Sequence, residues 1–169
     1  MRALALVLFL GVAFAQMNLK SPAFAYGERI PVRYTCDGED VSPPLVFSKV
    51  PKGAGSLVLV VWDPDAPVGA FFHWTVYDLS PTRSGLPEAV PPKPRVEEFK
   101  QGKNDFRRVG YGGPCPPPGD GPHRYFFRLY ALRDSSLGLS PGASPRGVLE
   151  ALKRKTLLES AEWMGRYAR

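Results

Sequence analysis

Histidine and cysteine are scarce in this chain of 169 residues, which contains two of each. The few potential ligands do not stand at the short spacings of a local zinc motif. No nucleic-acid-binding motif and no G-x-S-x-G nucleophile elbow is present. Beyond the first fifteen residues, no apolar run is long enough to cross a bilayer. We therefore expect no nucleic-acid partner, no cofactor and no stable membrane insertion.

The first fifteen residues have the features of a secretory signal peptide. Arg2 gives a positive start, residues 3–10 are nearly all apolar, and Ala13-Phe14-Ala15 forms a small-x-small cleavage site. We predict cleavage after Ala15, leaving residues 16–169 as a single domain that is periplasmic or secreted. An uncleaved membrane anchor is the alternative interpretation.

Glycine and proline are abundant, with 17 and 19 residues, and they separate short apolar runs along the chain. The runs predict strands at residues 29–34, 56–62, 71–79 and 124–132. The alternation of residues 161–167 predicts a final strand, for which a continued helix is the alternative. The continuous apolar run 56–62 predicts a central strand that is buried on both faces. This spacing favours a mainly β fold, an antiparallel β-sandwich with long loops rich in proline and glycine.

One short helix is predicted near the C-terminus. Ser144 suits its N-cap, Pro145 suits its first turn, and an apolar stripe follows, so that the helix should end near Leu158. Residues 82–105 combine prolines and charges with weak periodicity, which predicts a long surface excursion.

Both histidines follow loops that proline stiffens. His73 follows Asp63-Pro64-Asp65-Ala66-Pro67, and His123 follows Gly113-Pro114-Cys115-Pro116-Pro117. Proline fixes φ and removes an N–H donor, and the first loop favours a cis bond at one of its prolines. Each histidine stands close to an aromatic residue and near the start of an apolar run. The layout predicts two rigid loops that meet at one pocket, with both histidines at its floor.

The predicted pocket is rich in hydrogen-bond donors. Imidazole N–H groups, the backbone N–H of Cys115 and the hydroxyl of Tyr125 would form a cradle for an anion, with Tyr111 as a further donor in the pocket wall. The formal net charge of +6 permits attraction to anionic ligands.

Asp63 has three possible roles beside such a cradle. It would orient a histidine and raise its pKa, accept a proton from a monoprotonated phosphate, or bind an amine carried by the same ligand. For Asp65, at the pocket wall, we favour a local role, in which its carboxylate caps its own turn.

Other interpretations of the same residues remain open. Two histidines and a carboxylate can bind a metal ion, with Asp63 or Cys115 as third ligand. Each histidine alone would more often be a core residue bonded to backbone. A Cys115–His123 pair is conceivable for nucleophilic chemistry. In an exported protein Cys36 and Cys115 can form a disulfide, although Cys36 can also be a small buried thiol.

The motifs DPDAP (63–67), GPCPP (113–117) and HRY (123–125), in this order, resemble the phosphatidylethanolamine-binding proteins, in their bacterial Raf-kinase-inhibitor-like branch. The segment YTCDGEDVSPPL (34–45) extends the resemblance. It implies a sandwich of two antiparallel sheets with one pocket for phosphate-like anions and phosphorylated head groups. Carried over by matching motif, the binding residues are Asp63, His73, the Cys115 backbone, His123 and Tyr125, and Pro114 and Pro116 shape the wall.

Together these features predict an exported, non-enzymatic binding protein for phosphate-bearing or similar small anions. The alternative is an inhibitor of an extracytoplasmic protease or another protein partner, which would use a protruding loop such as residues 82–103. A metal-assisted hydrolase at the two histidines is a weaker third possibility.

Overall fold

The computed structural model describes residues 16–169, so the predicted signal peptide lies outside the described residues. Within them lie nine strands and one α-helix. The strands are β1 (Asn18–Lys20), β2 (Leu45–Ser48), β3 (Ser56–Asp63), β4 (Phe71–Leu79), β5 (Gly85–Leu86), β6 (Arg95–Val96), β7 (Phe99–Gln101), β8 (His123–Leu132) and β9 (Leu157–Tyr167), and the helix is α1 (Pro145–Leu152). Among residues 16–169, no helix has the length and apolar character needed to cross a bilayer.

Two antiparallel sheets build the fold. The larger has the order β6-β7-β4-β3-β8-β9, and the smaller has the order β1-β2-β5. The main core contains Leu19 and Phe47 from the small sheet together with Leu57, Leu59 and Leu129 from the large sheet, so it lies between the two. The predicted antiparallel β-sandwich is confirmed.

Strand β3 is buried on both faces, as its continuous apolar run predicts. Successive side chains of a strand point to opposite faces. Leu57 and Leu59 therefore enter the core between the sheets, whereas Val58 and Val60 join a second cluster that includes Val148 of α1. The helix covers part of the outer face of the large sheet in this way.

The strand predicted at residues 29–34 is wrong. Arg29 makes only an isolated bridge with Arg166, and a 3-10 helix spans Val32–Tyr34. The physical reason is Pro31, which has φ −56° and no N–H, and whose carbonyl accepts from the N–H of Tyr34.

The helix starts as predicted and ends earlier. Ser144 accepts a hydrogen bond from Gly147 N–H, and Pro145 is the first helical residue. The chain leaves the helix after Leu152 because Thr156 is fixed on both sides: its N–H donates to Asp134, and its carbonyl accepts from Arg133. Strand β9 then pairs with β8 from Leu157 onward, earlier than the predicted start at residue 161.

The excursion predicted at residues 82–105 is more ordered than expected. It contains β5, β6 and β7, which extend both sheets. The buried side chain of Gln101 accepts from Trp74 Nε1 at 2.7 Å and donates to the carbonyls of Pro91 and Lys93. No cis peptide bond occurs within residues 16–169, so the expected cis proline in the first loop is wrong.

Gly113 packs the second proline loop against residues 32–40. Its N–H donates to Asp40 Oδ1 at 2.7 Å, and an added Cβ would lie 2.2 Å from the carbonyl oxygen of Tyr34. We expect Gly113→Ala to lower the free energy of unfolding by about 1–3 kcal/mol, because backbone must move to admit the methyl group. Urea unfolding of the disulfide-intact protein measures this.

The matched control is Gly53→Ala, whose added Cβ would meet only Leu158 Cδ1, at 3.9 Å. It should change the free energy of unfolding by less than about 0.5 kcal/mol. Equal stability of the two variants would contradict the tight packing at Gly113.

Candidate functional site

A cavity of about 310 Å³ lies at the end of the large sheet, where β3 ends and β4 and β8 begin. Its volume is at the lower limit of pockets that hold small molecules. The polar lining consists of Asp63, His73, Cys115, His123 and Tyr125, and the apolar lining of Ala66, Pro67, Val68, Phe71, Phe106, Pro116 and Pro117. The structure thus brings all five residues predicted to bind ligand around one space.

Strand pairing explains why residues so distant in sequence meet here. Strand β3 lies between β4 and β8, so Asp63 is flanked by the strands that carry the two histidines. His123 and Tyr125 are two residues apart in β8 and both buried, so they share the inward face of the strand. The rings of His73 and Tyr125 meet edge to face with centroids 5.2 Å apart.

His73 is a buried, neutral imidazole. Its Nδ1 lies 2.7 Å from the carbonyl oxygen of Gly112, which can only accept, so Nδ1 carries the proton. In the neutral ring Nε2 is then an acceptor. Burial lowers the pKa of His73, and the contact with Gly112 offsets this only in part. Near neutral pH the one N–H of the His73 ring is therefore used on Gly112, and Nε2 is an acceptor and not the donor to a ligand that the sequence predicts.

His123 is a cation held between two carboxylates. Its Nδ1 lies 2.6 Å from Asp63 Oδ2, and its Nε2 lies 2.6 Å from Asp120 Oδ2. Both ring nitrogens must carry protons to donate to two carboxylates, which makes the ring an imidazolium. Burial lowers the pKa of His123, but the hydrogen bonds to Asp63 and Asp120 raise it more, and the net shift is upward.

Asp63 fixes this arrangement from the end of β3. It is 3% exposed, and its second oxygen, Oδ1, accepts from the N–H of Asp65 at 2.7 Å. Asp63 therefore caps the first proline loop and pairs with His123 at the same time. The geometry matches the first of its three predicted roles, the orientation and charging of a histidine.

Asp65 does not cap its own turn, so that prediction is wrong. Its carboxylate accepts from the N–H and the guanidinium of Arg124 at 2.8–2.9 Å. The hydrogen bond from the Arg124 side chain is the main cause that lowers the pKa of Asp65 to about 2. This pair fastens the first loop to the start of β8 outside the cavity.

Tyr125 presents a hydroxyl that makes no hydrogen bond to any residue in the described part of the chain. Burial raises its pKa, and the negative charges of Asp63 and Asp65 raise it further. The hydroxyl therefore stays protonated at physiological pH and can donate into the cavity.

Cys115 forms a disulfide with Cys36, with 5.4 Å between the Cα atoms. The bridge closes a loop of 79 residues, which stabilises the fold by about 4–5 kcal/mol in the chain-entropy model. Cys36 N–H also donates to the carbonyl of Pro114. No residue from 16 to 169 accepts the N–H of Cys115, which is consistent with its predicted role as a backbone donor.

Three residues predicted for the pocket wall do not line the cavity. Asp65 pairs with Arg124, as described above. Pro114 is turned toward Cys36. Tyr111 donates to the carbonyl of Tyr34 at 2.6 Å and packs edge-on against Trp74.

Three residues that the sequence analysis does not assign to the site contact its histidines. Phe71 precedes His73 by two residues in β4, so the strand period places both on one face. Phe106 packs against Phe71 with ring centroids 4.8 Å apart, a contact with no sequence signal. Asp120 precedes His123 by three residues in a turn with two glycines, and that local spacing was the available clue.

The two histidines should titrate in opposite directions from their ordinary pKa near 6.5. The proton of His123 stabilises the fold below pH 6.5, and this contribution is lost as the pH rises through its raised pKa. His73 has the opposite effect on stability. As the pH falls below 6.5, its ring takes up a proton in the unfolded chain but stays neutral in the folded protein, and this difference favours unfolding. NMR titration of the two ring Cε1–H signals measures both pKa values.

The single variants His73→Gln and His123→Gln assign the two signals in that titration. A pair of curves with a common midpoint near the ordinary value of 6.5 would contradict the assigned surroundings of both rings.

Comparison with known proteins identifies the family to which the chain is similar. The family model described as phosphatidylethanolamine-binding protein matches residues 20–168. A UPF0098 protein of Aquifex aeolicus is 51% identical over 155 residues, which cover 92% of this chain and 90% of that protein. A UPF0098 protein of Methanothermobacter thermautotrophicus is 51% identical over 154 residues, which cover 90% of this chain and 99% of that protein.

Two solved structures have the same fold. A crystal structure described as a putative phosphatidylethanolamine-binding protein homolog, CT736 of Chlamydia trachomatis, is 43% identical with a TM-score of 0.81, covering 91% of this chain and 98% of that one. The crystal structure of E. coli YbcL, described as a new member of the mammalian PEBP family, is 32% identical with a TM-score of 0.83, covering 92% and 99%. The chain therefore belongs to the phosphatidylethanolamine-binding protein family.

Proposed function

We propose that this chain is an exported, non-enzymatic binding protein for small phosphate-bearing anions, which enter the cavity at the end of the large sheet. The observation that carries the proposal is that Tyr125 and Cys115 both line one space of about 310 Å³, and that neither the Tyr125 hydroxyl nor the Cys115 N–H has an acceptor within residues 16–169. A phosphoryl group has several oxygens and can accept from both donors at once. The apolar walls leave room for an organic substituent on the phosphate.

His73 complements a protonated phosphate. Its neutral Nε2 accepts the P–O–H hydrogen of a monoprotonated phosphate monoester, so that the ligand brings the proton and the buried ring stays neutral. Phe71 and Phe106 pack beside His73, with ring centroids 5.1 and 5.4 Å from that of the imidazole, and keep this acceptor in a largely apolar wall.

Binding without catalysis is supported by the state of Cys115. Its sulfur is bonded to Cys36, so no thiol is available as a nucleophile beside His123. Within residues 16–169, no group of three or more His, Cys, Asp or Glu side chains has the arrangement to hold a metal ion. These observations favour the binding protein over the metal-assisted hydrolase.

Export is supported by the disulfide at the pocket wall, because such bridges form and persist in oxidising compartments. Residues 1–15, with the predicted cleavage site after Ala15, supply the signal for export in this proposal. Inhibition of an extracytoplasmic protease stays a prediction from sequence.

Tyr125→Phe tests the proposed donor directly. The change removes one hydroxyl and keeps the ring, so we expect the affinity for phosphate and for phosphoethanolamine to fall about tenfold, as for the loss of one hydrogen bond to a charged group. Titration of each ligand into residues 16–169, followed by NMR shifts of the pocket amides, measures the affinity. Ethanolamine alone is a third ligand, which separates recognition of the phosphate from recognition of the amine.

The matched control is Tyr130→Phe, on the same strand but outside the cavity lining, and it should leave the affinity unchanged. Absence of any shift at millimolar phosphate or phosphoethanolamine in the unaltered protein would refute the proposed function. Equal affinities of the unaltered protein and Tyr125→Phe would refute the role of the hydroxyl.

A further inference from the structure

The two carboxylates on His123 differ in how firmly they are held. The side chain of Asp63 is 5% exposed, whereas that of Asp120 is 44% exposed. Asp63 is fixed by a second hydrogen bond, from Asp65 N–H at 2.7 Å. The only hydrogen bond of the Asp120 carboxylate to a residue in the described range is the one to Nε2 of His123. Asp120 is thus the partner of His123 that can leave.

The turn that carries Asp120 has few other attachments. Gly119 and Gly121 both have φ +82°, and a Cβ added at either would find no atom within 4 Å, so the turn stands clear of the rest of the protein. Gly119 N–H donates to the carbonyl of Arg169, and Asp120 N–H donates to the carbonyl of Pro117, each over 3.2 Å. These are long hydrogen bonds by protein standards.

The charges around His123 disfavour an incoming anion as they stand. Asp63 and Asp120 contribute two negative charges against the single positive charge of the imidazolium. Arg124, the cation next in sequence, is already paired with Asp65. A phosphate therefore meets a net negative cluster, and the Nε2–H that would best receive it is occupied by a carboxylate oxygen 2.6 Å away.

We propose that Asp120 is a specificity-determining residue of the pocket: its carboxylate holds the Nε2–H of His123 until the phosphoryl group of a ligand replaces it. The proposal rests on the proposed function. The step exchanges one hydrogen-bond acceptor for another and needs no proton transfer. Asp120 lies beside Pro117, which lines the cavity, so departure of the turn makes Nε2–H accessible from that side.

This internal carboxylate selects among anions. A simple carboxylate such as acetate offers His123 the same kind of hydrogen bond that Asp120 already makes. Its displacement of Asp120 therefore adds little binding free energy. A phosphate monoester has additional oxygens for the Tyr125 hydroxyl and the Cys115 N–H, so it gains contacts that Asp120 does not supply. The pocket thereby favours phosphoryl groups over carboxylates.

The test measures the affinities of inorganic phosphate and acetate for the unaltered protein, Asp120→Ala and Asp120→Asn at about pH 6, where His123 is protonated. We expect phosphate to bind Asp120→Ala about five- to tenfold more tightly, because no internal acceptor has to be displaced. Acetate should gain at least as much, so that discrimination between the two anions falls. Asp120→Asn, which keeps an acceptor but loses the charge, should show a smaller gain.

The control Glu150→Gln changes the net charge equally at α1, outside the cavity lining, and should leave both affinities unchanged. Unaltered or weaker phosphate binding in both Asp120 variants, with normal binding by the unaltered protein, would overturn the role of Asp120 alone. Folded proteins that bind no phosphate in any of the forms would overturn the proposed function as well.

Discussion

The buried ion pair between Asp63 and His123 is the contact on which the site depends. It joins the end of β3 to the start of β8 across 2.6 Å, with both side chains at most 5% exposed. A buried charge is costly unless it is paired and its remaining oxygens are bonded, and here Asp65 N–H satisfies the second oxygen of Asp63. One carboxylate therefore sets the loop, the histidine and its protonation state together.

The opposite wall is fixed by covalent and steric means. The bridge from Cys115 to Cys36 and the close approach of Gly113 to the Tyr34 carbonyl hold the second proline loop against residues 32–40. Both walls are thus anchored before any ligand arrives, which lowers the ordering cost of binding. The turn at Asp120 is the exception, since it is attached mainly through the side chain that the proposal requires to move.

The sequence predicted those parts that local pattern controls. The apolar runs of β3, β4 and β8 located the strands, and the proline loops before His73 and His123 located the cavity. It failed where a distant partner decides the outcome. Asp63 caps the first loop because Asp65 is paired with Arg124, about sixty residues away. The local sequence contains two aspartates two residues apart and does not indicate which of them is the cap.

Helix α1 was predicted too long for a comparable reason. Its C-terminal residues continue an amphipathic pattern, but Asp134 and the ladder with β8 draw the chain into β9. The hydrogen bonds to Asp134 and to β8 outweigh the small propensity differences of a short helix. The 3-10 turn at Val32 differs, because Pro31 was a local signal against the strand.

The proposed anion site contains two carboxylates, and this is physically consistent once the protons are assigned. In the proposal, the neutral ring of His73 accepts the ligand's own proton. The imidazolium of His123 owes its charge to Asp63 and Asp120, which compete with the ligand for its N–H groups. A site of simple positive charge would attract many anions alike. In this site the one cation is already paired with two carboxylates, so only a ligand that makes more contacts than the carboxylate it displaces would bind well. Selectivity would then depend on the number and placement of the ligand's oxygens and not on its charge alone.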